Sequence, residues 1–231
     1  MSKLYFSYAA MNAGKSTVLL QASWNYQERG MRTLLFTSAL YARQEDGRIT
    51  SRIGINADAT LYSETDDLQA CITREHRKKR VDCVFVDEAQ FLTKDQVWQL
   101  ARVSDRLNIP VLCYGLRTDF RGELFPGSAE LLAIADSLRE IRTICHCGRK
   151  ATMVVRRTAE GKALTSGAQV GIAKDMYLSL CRAHWEEEMG RWPVAKPKTK
   201  AKVTAAAKPL SSKTGAKKKP ARKAQLRLAA A

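Results

Sequence analysis

Leu4-Tyr5-Phe6-Ser7-Tyr8, followed by Ala9-Ala10-Met11-Asn12-Ala13-Gly14-Lys15-Ser16-Thr17, is the stretch that decides the fold. An apolar run stops, a short loop containing one glycine follows, and a helical pattern begins at Lys15. That succession reads as a P-loop. Backbone N–H groups and a helix N-terminus face a phosphate chain, Lys15 reaches the β- and γ-phosphates, and the Ser16 hydroxyl meets Mg²⁺. One position departs from the pattern: Ala9 replaces the first glycine of G-x-x-x-x-G-K-S. Alanine takes a positive φ only at a cost, so the entry turn is expected to use a conformation that alanine tolerates. Gly14-Lys15-Ser16 therefore carries more weight than the full expression. Because A-G-K-S also opens unrelated helices, the rest of the chain has to decide.

With 231 residues, the chain can bury a medium α/β domain plus something small. Its net charge of +16 points to nucleic acid until the charge is located. From Pro193 to Ala231 there are twelve Lys and Arg and no Asp or Glu, which leaves residues 1–192 at +4. That tail is Lys, Ala, Pro, Ser and Thr with almost no large apolar side chain, so it is read as disordered. There is no run of about eighteen apolar residues, and Met1-Ser2-Lys3 leads directly into a strand rather than a signal peptide. A cytoplasmic protein without membrane contact is expected, and in a reducing compartment its six cysteines need not be disulfides. Cys71, Cys83 and Cys113 read as small buried hydrophobes.

Along the chain, Val18 to Tyr26 fits a helix ending at Arg29-Gly30, and Thr33–Thr37 a buried strand in a parallel βαβ unit. Residues 39–63 read as polar and irregular; Arg43, Arg48 and Arg52 there could meet phosphate, a partner subunit or only solvent. Asp66–Arg80 is predicted helical with a solvated basic end, and His76 is read as a surface or packing residue. Thr93–Leu107 is a second such helix, Ile109–Gly115 a strand, Ser128–Leu138 a short helix, and Ile141–Ile144 a strand.

Val81–Val86 reads as a buried strand that ends in Asp87-Glu88-Ala89-Gln90-Phe91. Parallel strands deliver their C-terminal ends to one edge, where a carboxylate beside a phosphate loop can hold Mg²⁺. Two adjacent acids leaving a strand point in different directions, so one can face the metal and the other a second substrate. The plainer alternative is that they cap the next turn. The loop Leu116-Arg117-Thr118-Asp119-Phe120-Arg121-Gly122 is expected at the same edge, over a site mouth.

Cys145-His146-Cys147-Gly148 forms a tight knuckle, and 33 residues separate Cys147 from Cys181-Arg182-Ala183-His184. Short strands are expected at Met153–Arg156 and Gly167–Gly171. Two knuckles on small β-ribbons can close a four-ligand Zn²⁺ site from Cys145, Cys147, Cys181 and His184, with His146 as substitute if one thiol cannot reach. Neither pair is C-x-x-C, which argues against a redox motif.

Taken together, Met11 to Thr17, Asp87 to Phe91, Leu116 to Gly122 and the paired knuckles resemble the type II (cellular-type, zinc-containing) thymidine kinase family, bacterial branch, over about residues 3–190. The resemblance implies an α/β fold of the P-loop NTPase (RecA-like) kind. Residues 1–140 would form the nucleotide-binding domain with a mostly parallel sheet flanked by helices, 141–192 a zinc-binding β-ribbon lobe with a nucleoside-covering loop, and 193–231 the tail. It implies transfer of the γ-phosphoryl of Mg-ATP to the 5′-hydroxyl of thymidine, with deoxyuridine a second acceptor. Glu88 would be the base, and Ala9 to Thr17 with Asp87 and Gln90 would bind the donor. Met11, Phe91, Leu116, Phe120, Val170 and Tyr177 would enclose the nucleoside, and the zinc would be structural. A homotetramer and feedback by dTTP are implied as well. Ile172-Ala173 stand where the family has Gly-Gly, and Tyr41 where it commonly has an acid. The competing readings are a P-loop ATPase gripping nucleic acid through its zinc lobe and basic tail, and a non-enzymatic zinc module.

Overall fold

The computed structural model describes residues 2–40, 47–169 and 177–191. The expectations for Tyr41, Arg43, Val170, Gly171, Ile172-Ala173 and the tail lie outside them. In chain order the elements are β1 Leu4–Ala9, α1 Lys15–Gln27, β2 Thr33–Ser38, β3 Arg48–Thr50, β4 Asn56–Asp58, β5 Thr60–Tyr62, α2 Leu68–Lys78 and β6 Cys83–Val86. A 3₁₀ turn, Ala89–Phe91, precedes α3 Lys94–Leu107, β7 Val111–Leu116, α4 Pro126–Ile134 and β8 Ser137–Glu140. The remainder is β9 Thr143–Ile144, β10 Lys150–Ala151, β11 Met153–Arg156, β12 Tyr177–Leu180 and α5 Arg182–Glu188.

A six-stranded sheet in the order β5-β2-β6-β7-β1-β8 forms the centre, and every adjacent pair is parallel. Continuous apolar runs explain this: all four residues of β6 are buried, as a strand covered on both faces must be. Leu4, Phe6, Val84, Val86 and Val111 pack on one face with Ile72, Val97, Leu100 and Val103. Leu19 and Leu20 of α1 meet Leu35, Phe85 and Tyr114 on the other. Thr93 and Gln96 cap α3 reciprocally, a device worth about 1 kcal/mol. Cys83 and Cys113 are buried and Cys71 partly so, all as free thiols. His76 is a packing residue whose Nδ1 accepts the Val81 N–H at 3.1 Å.

Three stretches differ from their sequence reading. Residues 39–63 are not irregular throughout: β3 and β4 form an antiparallel hairpin, and β5 joins the sheet as an edge strand beside β2. Three-residue strands are too short to show a period against their polar neighbours. The helix expected to reach Leu138 ends at Ile134, because Ala135 turns extended and Asp136 takes the Leu4 N–H at 2.7 Å, which starts β8. Gly167 to Gln169 form no strand. Past β8 a smaller apolar cluster, Cys145, Ala151, Val155, Leu180, Cys181, Trp185 and Met189, builds the ribbon lobe.

Candidate active site and metal cluster

The P-loop answers the question raised by Ala9. Ala9 needs no positive φ, because it continues β1 in register with Leu116. The left-handed turns fall instead on Asn12 at φ 63° and on Gly14 at φ 81°, the residue that caps α1. Asn and Gly are the residues that enter that region at least cost.

At the far end of β6, Asp87 is buried and its Oδ2 accepts a 2.9 Å hydrogen bond from Ser16 Oγ. Its other oxygen, Oδ1, is buried with no partner among the described residues. Burial, then the charge of Glu88, pushes its carboxyl up to about 7, while Lys15 and Ser16 act in the opposite direction. An unpartnered carboxylate oxygen beside a serine hydroxyl offers two oxygen donors that suit a hard divalent cation such as Mg²⁺.

Glu88 takes φ 51°, a left-handed conformation that costs a non-glycine residue about 1–3 kcal/mol. Its neighbours hold it there. Tyr62 Oη donates to the Glu88 carbonyl at 2.8 Å, and Gln90 Nε2 donates to Glu88 Oε2 at 2.5 Å. Gln90 Oε1 in turn accepts the Leu116 N–H at 3.0 Å. Burial, then the Glu88 charge, holds the Tyr62 phenol well above its ordinary value, so it stays a donor. A Cβ on Gly115 would stand 3.0 Å from Gln90 N and Oε1, and one on Gly127 only 2.5 Å from the Ala89 carbonyl. Both glycines leave room for the turn that carries Glu88.

These groups converge on a cavity of about 260 Å³ lined by Met11 to Thr17, Asp87, Glu88, Leu116 and Thr37, together with Thr50 to Ile53 of the β3–β4 hairpin. Of the predicted donor-binding residues, Ala9, Ala10 and Gln90 stand outside that lining: the alanines are buried, and the Gln90 amide is engaged with Glu88 and Leu116. A second, small cavity of about 20 Å³ is lined by Met11, Phe91, Leu116, Phe120 and Tyr177, with Thr118, Asp119, Phe125, Val154 and Gln169. It has room for about one water. All the predicted nucleoside residues except Val170, which lies outside the described residues, meet there. Met11 and Leu116 line both cavities. Phe91 packs edge-on against Phe125 with ring centroids 5.7 Å apart.

Cys145, Cys147, Cys181 and His184 bring their ligand atoms within 4.8 Å of one another. Cys145 Sγ lies 3.2 Å and Cys181 Sγ 3.5 Å from His184 Nδ1, and Cys147 Sγ lies 3.9 Å from Cys181 Sγ. Tetrahedral zinc with ordinary bond lengths sets its ligand atoms about 3.5–3.8 Å apart, so the four fit a structural zinc. Arg149 Nε, 3.4 Å from Cys147 Sγ, lowers that thiol's pKa toward the thiolate a metal requires. His146 stacks on the His184 ring at 4.2 Å and is not one of the four.

Comparison with known proteins decides the family. The family model described as thymidine kinase matches residues 2–185. The chain belongs to the thymidine kinase family. It is 64% identical over 191 residues to a thymidine kinase of Mesorhizobium japonicum, covering 83% of this chain and 94% of that one. It is 62% identical over 188 residues to one from Agrobacterium fabrum, covering 81% and 97%, and 60% identical over 195 residues to one from Jannaschia sp., covering 84% and 100%. Nothing among these findings favours the nucleic-acid ATPase reading. Among the described residues no helix is long and apolar enough to cross a membrane.

What sequence reasoning missed lies mostly in residues 48–62. Tyr62, Thr50, Ser51 and Ile53 reach the site only through the hairpin and edge strand, for which the weak alternation Ile49-Thr50-Ser51 before Gly54 was the available signal; of that stretch only Arg52 was read as a possible phosphate contact. The metal cluster makes a direct prediction. The purified protein should carry about one zinc per chain, and a Cys147→Ala/Cys181→Ala variant should lose it and unfold at lower temperature, as read by metal analysis and thermal denaturation.

Proposed function

We propose that this chain is an ATP-dependent thymidine kinase that moves the γ-phosphoryl of ATP to the 5′-hydroxyl of thymidine, yielding dTMP and ADP. The observation that carries the reading is the Ser16–Asp87 hydrogen bond with its orphaned carboxylate oxygen, in a cavity that Glu88 also lines. Phosphoryl transfer asks for charge neutralisation and alignment more than for covalent chemistry. Lys15 and the backbone N–H groups of Ala13 to Thr17 hold the donor's phosphates. Ser16 and Asp87 would hold Mg²⁺, which would neutralise phosphate charge.

Glu88 accepts the 5′-hydroxyl proton as that oxygen bonds to the γ-phosphorus and the bond to the bridging oxygen of ADP breaks. Gln90 positions Glu88 rather than touching the donor, since its amide already spans Glu88 and the Leu116 N–H. Met11, Phe91, Leu116, Phe120 and Tyr177, with Val170, enclose the nucleoside, and their cavity widens when thymidine enters. A zinc held by Cys145, Cys147, Cys181 and His184 would fix the lobe that carries Tyr177 and would take no part in the chemistry.

The same reading carries a cytoplasmic homotetramer, acceptance of deoxyuridine, feedback by dTTP and a basic tail that adheres to nucleic acid without specificity. Light scattering of the full chain should give four copies, and dTTP should inhibit in the micromolar range typical of enzyme ligands.

Two further experiments test the site. Glu88→Gln should lower kcat about 10²- to 10⁴-fold with thymidine affinity retained; undiminished turnover would remove Glu88 from the catalytic role. Asp87 should release its proton when Mg²⁺ binds, because its carboxyl is raised to about 7 and the cation requires the carboxylate. Calorimetry of Mg-ATP binding in buffers of different ionisation enthalpy should show up to about half a proton released at pH 7, falling toward zero as pH rises past that pKa. An unchanged proton count in Asp87→Asn would reject the assignment.

A further inference from the structure

We propose that the β3–β4 hairpin is a second wall of the nucleotide site, with Ser51 and Arg52 binding the donor's phosphate chain. This rests on reading the 260 Å³ cavity as the donor site.

The hairpin pairs Arg48 with Asp58, Ile49 with Ala57 and Thr50 with Asn56, and it belongs to no larger sheet. Ile49 is its anchor: buried, it packs in the cluster that holds Leu19 and Leu20 of α1 and Phe85 of β6. The hairpin is thereby fixed beside the helix that leaves the P-loop. Its turn closes through Ser51 N–H to the Ile55 carbonyl at 2.8 Å and Gly54 N–H to the Ser51 carbonyl at 3.0 Å, with Gly54 at φ 92°. Residues Thr50 to Ile53 then line the same cavity as Gly14 to Thr17, Asp87 and Glu88.

Two features of that turn have no structural use. Ser51 is 5% exposed, yet its Oγ is buried with no hydrogen-bond partner among the described residues. A hydroxyl left unpaired away from water costs stability, so the fold alone gives no reason for serine over alanine there. Arg52 is exposed and has no ion-pair partner among the described residues, whereas Arg48 on the same hairpin pairs with Asp58 at 3.1 Å. Charge then selects the ligand. With Asp87 assigned to Mg²⁺, the side-chain cations of the lining that face a polyphosphate are Lys15 and Arg52. Arg52 adds a second fixed cation beside Lys15, and a guanidinium fork with a neighbouring hydroxyl matches phosphate oxygens.

The test uses the full chain with Mg²⁺ and the β,γ-imido analogue of ATP, and separately with inorganic tripolyphosphate, which lacks the base and sugar. Arg52→Met should weaken both by about tenfold or more, Arg52→Lys by less, with thymidine affinity unchanged. Ser51→Ala should weaken the nucleotide while leaving Tm equal or higher. Unchanged affinity for both probes in Arg52→Met and Ser51→Ala would overturn the proposal. So would a change confined to oligomer size, which would make Arg52 a subunit contact. A wild-type chain that binds nucleotide through Arg52 but does not phosphorylate thymidine would sustain the hairpin's role while refuting the kinase reading.

Discussion

The hydrogen bond from Ser16 to Asp87 joins residues 71 positions apart, and the sheet order exists to permit it. β7 lies between β1 and β6, so the two partners do not sit on neighbouring strands. The connection from β1 to β2 passes over β7 and β6, and α1 packs on both. Leu19 and Leu20 therefore share a core with Phe85 and Tyr114. This apolar contact holds the first turn of α1 against the end of β6, where parallel strands leave a crevice at their C-terminal edge. Without it, a buried carboxylate with one unpaired oxygen would have no compensating lysine and serine, and its desolvation would work against folding.

Glu88 depends on the same edge, by different means. Its left-handed backbone is strained, and the strain persists because Tyr62, Gln90, Gly115 and Gly127 define the turn from four sides. Tyr62 comes from β5, two strands away from β6, so an edge strand of three residues contributes to the alignment of the central acid. A phenol kept protonated by burial is suited to this, since it donates at any physiological pH.

The central strands and the P-loop were legible in the sequence because each is a long apolar run ending in residues with few other uses. Gly14-Lys15-Ser16 and Asp87-Glu88 line one cavity, and the spaced cysteines gather with His184 in a separate cluster. Among the short elements, β11 was legible with its bounds at Met153–Arg156, but several others were not. β3, β4, β5 and β8 are held by pairing with distant strands, which leaves little local periodicity to read. Gln90 shows a further limit: its place in a D-E-x-Q run suggests contact with the donor, and only the position of the Leu116 N–H reveals that its amide is already engaged.

The ribbon lobe is tied to the site through a set of backbone carbonyls, beside the Val154 and Tyr177 residues that line the second cavity. Ser179 on β12 donates to the Met11 carbonyl, Arg117 to that of Thr152, and Trp185 Nε1 lies 3.0 Å from the carbonyls of both Phe120 and Val154. Trp185 directly follows His184, and it fills the space under Gly122, where a Cβ would come within 3.3 Å of the indole. The loop carrying Phe120 is thus seated on a side chain adjacent to the metal cluster. Seven buried residues make too small a core to hold such a lobe rigid by apolar area alone. A metal crosslink between the Cys145–Cys147 knuckle and the start of α5 would supply what the core lacks, and its effect on the cavity lined by Met11, Phe91 and Phe120 would be mechanical: it would fix where Trp185 stands, and so where Phe120 stands.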